Sequence, residues 1–126
     1  IKINFYVLSF AGRCWNDEHM YVIFYYLRKK DKYDVNELFR YTTVDYIFKS
    51  RIEEIYDKYA HKDGDISVGK EEDVICEYIK GLRLIANVPW HTMDAVVIPF
   101  NCRDRHHWIL VIFHLRYRSI RIYDSY

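Results

Sequence analysis

Near Pro89 the chain changes hydrophobic period, and that switch narrows the folds open to it more than any other property of its sequence. Before it, apolar residues recur at helical spacing. Met20, Ile23, Phe24 and Leu27 fall at i, i+3, i+4 and i+7, one face of a helix. Asn16 precedes them as an N-cap, Asp17 and Glu18 fill the first turn, and Arg28, Lys29 and Lys30 the last. Each sign suits its end of the helix dipole. Val44, Phe48, Ile52, Ile55 and Tyr59 predict a second helix over residues 44–59, capped by Thr42 or Thr43. Val74, Ile75, Tyr78, Ile79, Leu82 and Ile85 predict a third over residues 71–86. After Pro89, residues 95–98 read as a short buried strand ended by Pro99. Residues 108–115, rich in β-branched and aromatic side chains, read as a second strand. Residues 120–123 alternate, and they turn back through residues 116–119 to pair antiparallel with it. Helices followed by a small antiparallel sheet predict an α+β fold, with residues 1–126 in one domain.

Charge removes some classes of function. With 19 basic and 18 acidic residues the net charge is +1, so no large field of one sign draws the chain to DNA or an anionic membrane. Arg103, Arg105, Arg116, Arg118 and Arg121 form a local basic rim, read as facing an acidic protein partner rather than nucleic acid. The apolar run from Met20 to Leu27 is far shorter than the ~20 residues of a membrane span. Cys14, Cys76 and Cys102 are odd in number and widely spaced, with no CxxC among them. That pattern excludes a disulfide framework and a zinc ribbon, and it fits a reducing compartment, nucleus or cytoplasm. The chain opens without an initiator Met or signal peptide and stops inside what reads as a strand, so it is expected to be a fragment at both ends.

Three constellations invite a chemical reading. The Asp63-Gly64-Asp65 loop resembles the middle of a calcium loop. In that register Tyr59 and Lys70 fall where carboxylate oxygens are required, which leaves an ordinary Asp-Gly turn. His106, His107 and His114 stand near Cys102, but a second Cys and a paired His at ligand spacing are missing, so no metal is assigned. Cys102 lies only five residues from His107, in what reads as a loop, a poor geometry for a nucleophile; it is read as a small buried residue. His107 itself opens one strand and Asp124 closes the next. A hairpin turning at residues 116–119 sets the two side by side, a carboxylate placed to orient an imidazole. Taken alone, the pair reads first as a structural hydrogen bond between hairpin ends.

Pro99-Phe100-Asn101, His107-Trp108 and Tyr123-Asp124-Ser125 resemble the P-x-N, HW and Y-D-S blocks of the ubiquitin-like-protein-specific (SUMO-type) cysteine proteases. The His-to-Asp spacing is the family's. Cys14-Trp15-Asn16-Asp17, leading into the first helix, is similar to the family's W-L-[NS]-D block, and residues 25–30 (YYLRKK) resemble transposon-linked plant members. The resemblance implies a papain-related α+β fold. It implies a thiol protease that hydrolyses peptide or isopeptide bonds after the Gly-Gly of a ubiquitin-like protein such as SUMO, with no cofactor. His107 and Asp124 take the catalytic positions, and Trp108, Trp15 and Asp17 the substrate-binding ones. Trp108 is one flat wall that admits a side-chain-free Gly-Gly tail and excludes larger residues. The other wall is the motif Trp, here Trp15 shifted by one, with Cys14 at the motif position. The family's nucleophilic Cys follows the Asp by a few dozen residues, behind a Gln. None of the chain's cysteines follows Asp124, so the chain as given is expected to be inactive and truncated on its C-terminal side. The alternative is a degenerate module that binds a ubiquitin-like protein or its partner without cleavage.

Overall fold

The computed structural model describes residues 14–36, 38–60, 70–102 and 107–124. Helix α1, Asp17–Tyr33, starts on two reciprocal bonds. The His19 N–H donates to Asn16 Oδ1 at 3.0 Å, and the Asn16 N–H donates to His19 Nδ1 at 3.2 Å. This is a capping box in which His replaces the usual Glu or Gln. The apolar stripe buries Met20 and Phe24, as its spacing predicts. The same side of α1 also buries Arg28 and Asp31, each only 1% exposed. Arg28 is therefore not a solvated charge at the helix end. Its Nη1 donates to Thr43 Oγ1 at 2.7 Å and its Nε to the Ile85 carbonyl at 3.2 Å. Burial pulls its pKa below the ordinary guanidinium value. Asp31 accepts the Tyr41 N–H at 3.1 Å and Arg40 Nε at 3.2 Å.

Those bonds seat strand β1, Tyr41–Thr43, which the hydrophobic period did not predict. Thr42 and Thr43 are strand residues, not caps. Both are buried, and their hydroxyls meet Asn87 Oδ1 at 2.5 Å and the Phe24 carbonyl at 3.2 Å. Helix α2, Tyr46–Ala60, is capped instead by Asp45, whose Oδ1 accepts the Phe48 N–H at 3.1 Å. The same oxygen accepts the Tyr78 hydroxyl of α3, Lys70–Ile79, at 2.7 Å. Burial, reinforced by that bond, pushes the Tyr78 pKa well above the ordinary phenol value. Helix α3 stops at Ile79 and does not run on to residue 86. Gly81 takes φ +74°, and a Cβ there would lie 2.5 Å from the Val88 carbonyl carbon. Only glycine fits that left-handed, close-packed turn. Leu82 and Ile85 consequently leave the helical face and stand exposed.

Strands β2 (Ala95–Cys102), β3 (His107–His114) and β4 (Ser119–Tyr123) complete a four-stranded sheet in the order β1-β2-β3-β4. The expected antiparallel pairing holds for β2–β3 and β3–β4, but β1 runs parallel to β2, so the sheet is mixed rather than wholly antiparallel. Pro99 does not end β2. It sits opposite Leu110 inside the strand. The β1 pairing reaches only Val97, so Pro99 falls where β2 has become an edge and its missing N–H breaks no ladder.

Val44, Phe48, Tyr78, Trp90 and Val96 form the core, with Ile98, Phe113 and Leu115 packed against it. The Phe48 ring meets Tyr78 edge-on at 5.1 Å and Trp90 at 5.9 Å. Trp90 comes from a single 3-10 turn, Trp90–Thr92, that leads into β2. Among the described residues no helix is long and apolar enough to cross a membrane. The Asp-Gly loop at residues 61–69 lies outside the described residues, as do Arg103, Arg105, His106 and Ser125.

Candidate active site

Register determines what the hairpin brings together. The β3–β4 ladder pairs Leu110 with Tyr123, and Asp124 is the next residue along. Its Oδ1 lies 2.6 Å from His107 Nε2. A carboxylate has no proton to give, so the proton in this contact rides on Nε2. Nδ1 is then the nitrogen of the neutral ring that carries no proton. The imidazole is largely covered, with 12% of its side chain exposed, while Asp124 is half exposed.

Trp108 follows His107, and strand alternation sends its side chain to the opposite face. Its indole Nε1–H donates to the Trp15 carbonyl at 3.0 Å, a bond across 93 residues of sequence. Trp15 thus takes part through its backbone, and the residue stays 42% exposed. Two residues on, Asp17 Oδ1 accepts from Asn101 Nδ2 at 3.4 Å. A cavity of about 490 Å³ opens here, lined by Cys14, Trp15, Asn16, Asp17, Glu18 and Asn101. A smaller one of about 190 Å³ lies on the α2 side, lined by Asp17, Tyr46, Lys49, Ser50 and Asn101. Burial, together with the negative charges of Asp17, Asp45 and Glu18, holds the Tyr46 pKa above its ordinary value. The site candidates read from the sequence, His107, Asp124, Trp108, Trp15 and Asp17, therefore gather at one end of the sheet.

One neighbour has no signal in the sequence, and another stands elsewhere than the sequence reading puts it. Lys49 Nζ donates to the Asn101 carbonyl at 3.0 Å, pairs with Glu53 at 3.1 Å and stands 4.2 Å over the Phe100 ring. Nothing in the pattern of α2 sets it apart from the helix's other polar positions. Cys102 is not in a loop. It ends β2 directly opposite His107 and is half-buried. A third cavity, about 660 Å³, lies at the far end of the strands against Arg40, Trp90, Asp94 and Arg116, and holds none of the site candidates.

Residues 14–126 match the model of the Ulp1 protease family, C-terminal catalytic domain. The chain belongs to that family. No curated protein and no solved structure matches it. The Ulp1 family is one of cysteine proteases that act on ubiquitin-like proteins. The matched region opens at Cys14, beside the Trp15 carbonyl that holds Trp108, and spans every strand and helix described above. The mixed α+β architecture is that of a Ulp1 catalytic domain in part.

Proposed function

We propose that His107 and Asp124 form the acid–base pair of a SUMO-type protease site, and that Trp108, Trp15 and Asp17 receive the substrate tail. The 2.6 Å contact between His107 Nε2 and Asp124 Oδ1 carries this reading. A free thiol, with a pKa of ~8.5, is mostly protonated at neutral pH, and only its thiolate attacks an amide rapidly. An imidazole presented through Nδ1 takes the thiol proton and later gives it to the leaving amine. Asp124 fixes the ring's tautomer and stabilises the imidazolium that forms between those steps. The tail of a ubiquitin-like protein, ending in Gly-Gly, lies along the Trp108 indole, which its bond to the Trp15 carbonyl anchors. All three cysteines precede Asp124, so these 126 residues bind the tail without cleaving after it. Three widely spaced cysteines without a CxxC support a reducing compartment, nucleus or cytoplasm, where a catalytic thiol stays free.

The test is calorimetric titration of the chain with a SUMO-type protein ending in Gly-Gly and with its Ala-Ala counterpart. The Gly-Gly form is expected to bind at least about tenfold more tightly, or about 1.4 kcal/mol. Trp108→Ala should abolish that preference. Equal affinity for both tails in the wild-type chain would rule out a groove that selects Gly-Gly.

A further inference from the structure

We propose that Asn101 is a positioning residue, braced from two helices, that holds Trp108 against Trp15. The proposal rests on the reading above of Trp108 as a tail-binding wall. Asn101 is gripped through two different atoms. On the α1 side its Nδ2 donates to Asp17 Oδ1 at 3.4 Å. That carboxylate also fixes which way the amide points, because a flipped amide would set its own oxygen against Asp17. On the α2 side the Asn101 backbone carbonyl accepts from Lys49 Nζ at 3.0 Å. Lys49 has little freedom of its own. Its side chain is 11% exposed, tied to Glu53 at 3.1 Å and seated 4.2 Å over Phe100.

Across the ladder, Asn101 is the register partner of Trp108. Cross-strand partners share a face and lie within contact distance, so fixing one constrains the other. Trp108 in turn bonds the Trp15 carbonyl, two residues before Asp17. The contacts close a ring through Asp17, Asn101, Trp108 and Trp15. The first residue of α1 and the segment ahead of it are thereby each attached to the sheet. With the Asn101 point gone, a single indole bond remains, about which that segment can pivot. Asn101 touches no reacting atom, and its effect passes through Trp108.

The three indole protons of Trp15, Trp90 and Trp108 give an NMR readout on the ¹⁵N-labelled 126-residue chain. Trp90 Nε1 is buried in the core and serves as the internal reference. Asn101→Ala and Lys49→Met are expected to speed solvent exchange of the Trp108 indole proton by about tenfold while leaving Trp90 unchanged, the mark of a local opening. Asn101→Asp should do the same, since it sets two carboxylates together. Adding Asp17→Asn to Asn101→Asp reverses the donor and acceptor and should restore slow exchange. Unchanged Trp108 exchange in Asn101→Ala would overturn the proposal. So would failure of the reciprocal pair to restore slow exchange while Trp90 stays native, which also covers an alanine variant that does not fold. Affinity for a ubiquitin-like protein ending in Gly-Gly should follow the indole exchange across the same variants. Absence of binding to the wild-type chain would refute the tail-groove reading, whereas the indole data judge the brace independently.

Discussion

The 126-residue chain is expected to form no covalent adduct with a ubiquitin-like protein whose C-terminus carries a vinyl sulfone. Such a probe reports a thiol that is both activated and aligned with the tail groove. Cys14 and Cys76 are exposed, one ahead of α1 beside Asp17 and Glu18 and the other on α3. Cys102 is the informative case, because register sets it opposite His107. Side chains of cross-strand partners project in parallel from one face of a sheet. Cys102 therefore stands beside the imidazole, half-buried at the end of β2, and it precedes Asp124, whereas the resemblance places the nucleophile after it. Loss of the nucleophile from such a catalytic unit costs on the order of 10⁶-fold in rate, so the expected labelling is indistinguishable from that of the His107→Ala variant. Rapid adduct formation on Cys102 that His107→Ala abolishes would overturn this and make Cys102 the nucleophile.

Phe48→Ala is expected to lower stability by about 3–5 kcal/mol. Phe48 is buried between Tyr78 and Trp90, so its removal opens a cavity bounded by two large rings that neither α3 nor the 3-10 turn can refill. A domain of this size has only about 5–15 kcal/mol in total, so the loss is a large share of it and should lower the urea midpoint markedly. Ile52→Ala, one turn along the same helix but 43% exposed, should cost no more than about 1 kcal/mol. Urea midpoints of both variants check the contrast, and equal losses would mean that the core is not centred on Phe48.

Ile52 also shows where the sequence stops being legible. Its spacing from Phe48 is helical, but periodicity identifies a face without saying how much of that face the rest of the chain can cover. The same limit explains Arg28. Its i+4 relation to Phe24 was visible, but a buried cation needs acceptors from Thr43 and Ile85, which only the tertiary fold supplies. Strand β1 has three residues, no alternation to detect and a parallel partner more than fifty positions away, so no local turn announces it. Pro99 misled because a proline ends a central strand but not an edge, and the edge exists only because β1 is short. By contrast, β3 and β4 are joined by a tight turn, so their pairing follows from sequence distance alone, and with it the meeting of His107 and Asp124. Cys102 was misplaced because its partner depends on the register between β2 and β3, which the sequence pattern did not set. The bond from Trp108 to the Trp15 carbonyl left no trace in side-chain identity, since a backbone atom accepts it.

In the proposed site Asp124 holds the His107 ring with its proton on Nε2 and Nδ1 toward the thiol. Long-range ¹H–¹⁵N spectra of the His107 ring at neutral pH and above test it most directly, because protonated and bare ring nitrogens resonate far apart. The expected result is a single neutral tautomer bearing its proton on Nε2 in the wild-type chain, giving way in Asp124→Ala to a mixture that samples both nitrogens. A proton on Nδ1 in the wild type, or a tautomer that Asp124→Ala leaves unaltered, would contradict the account.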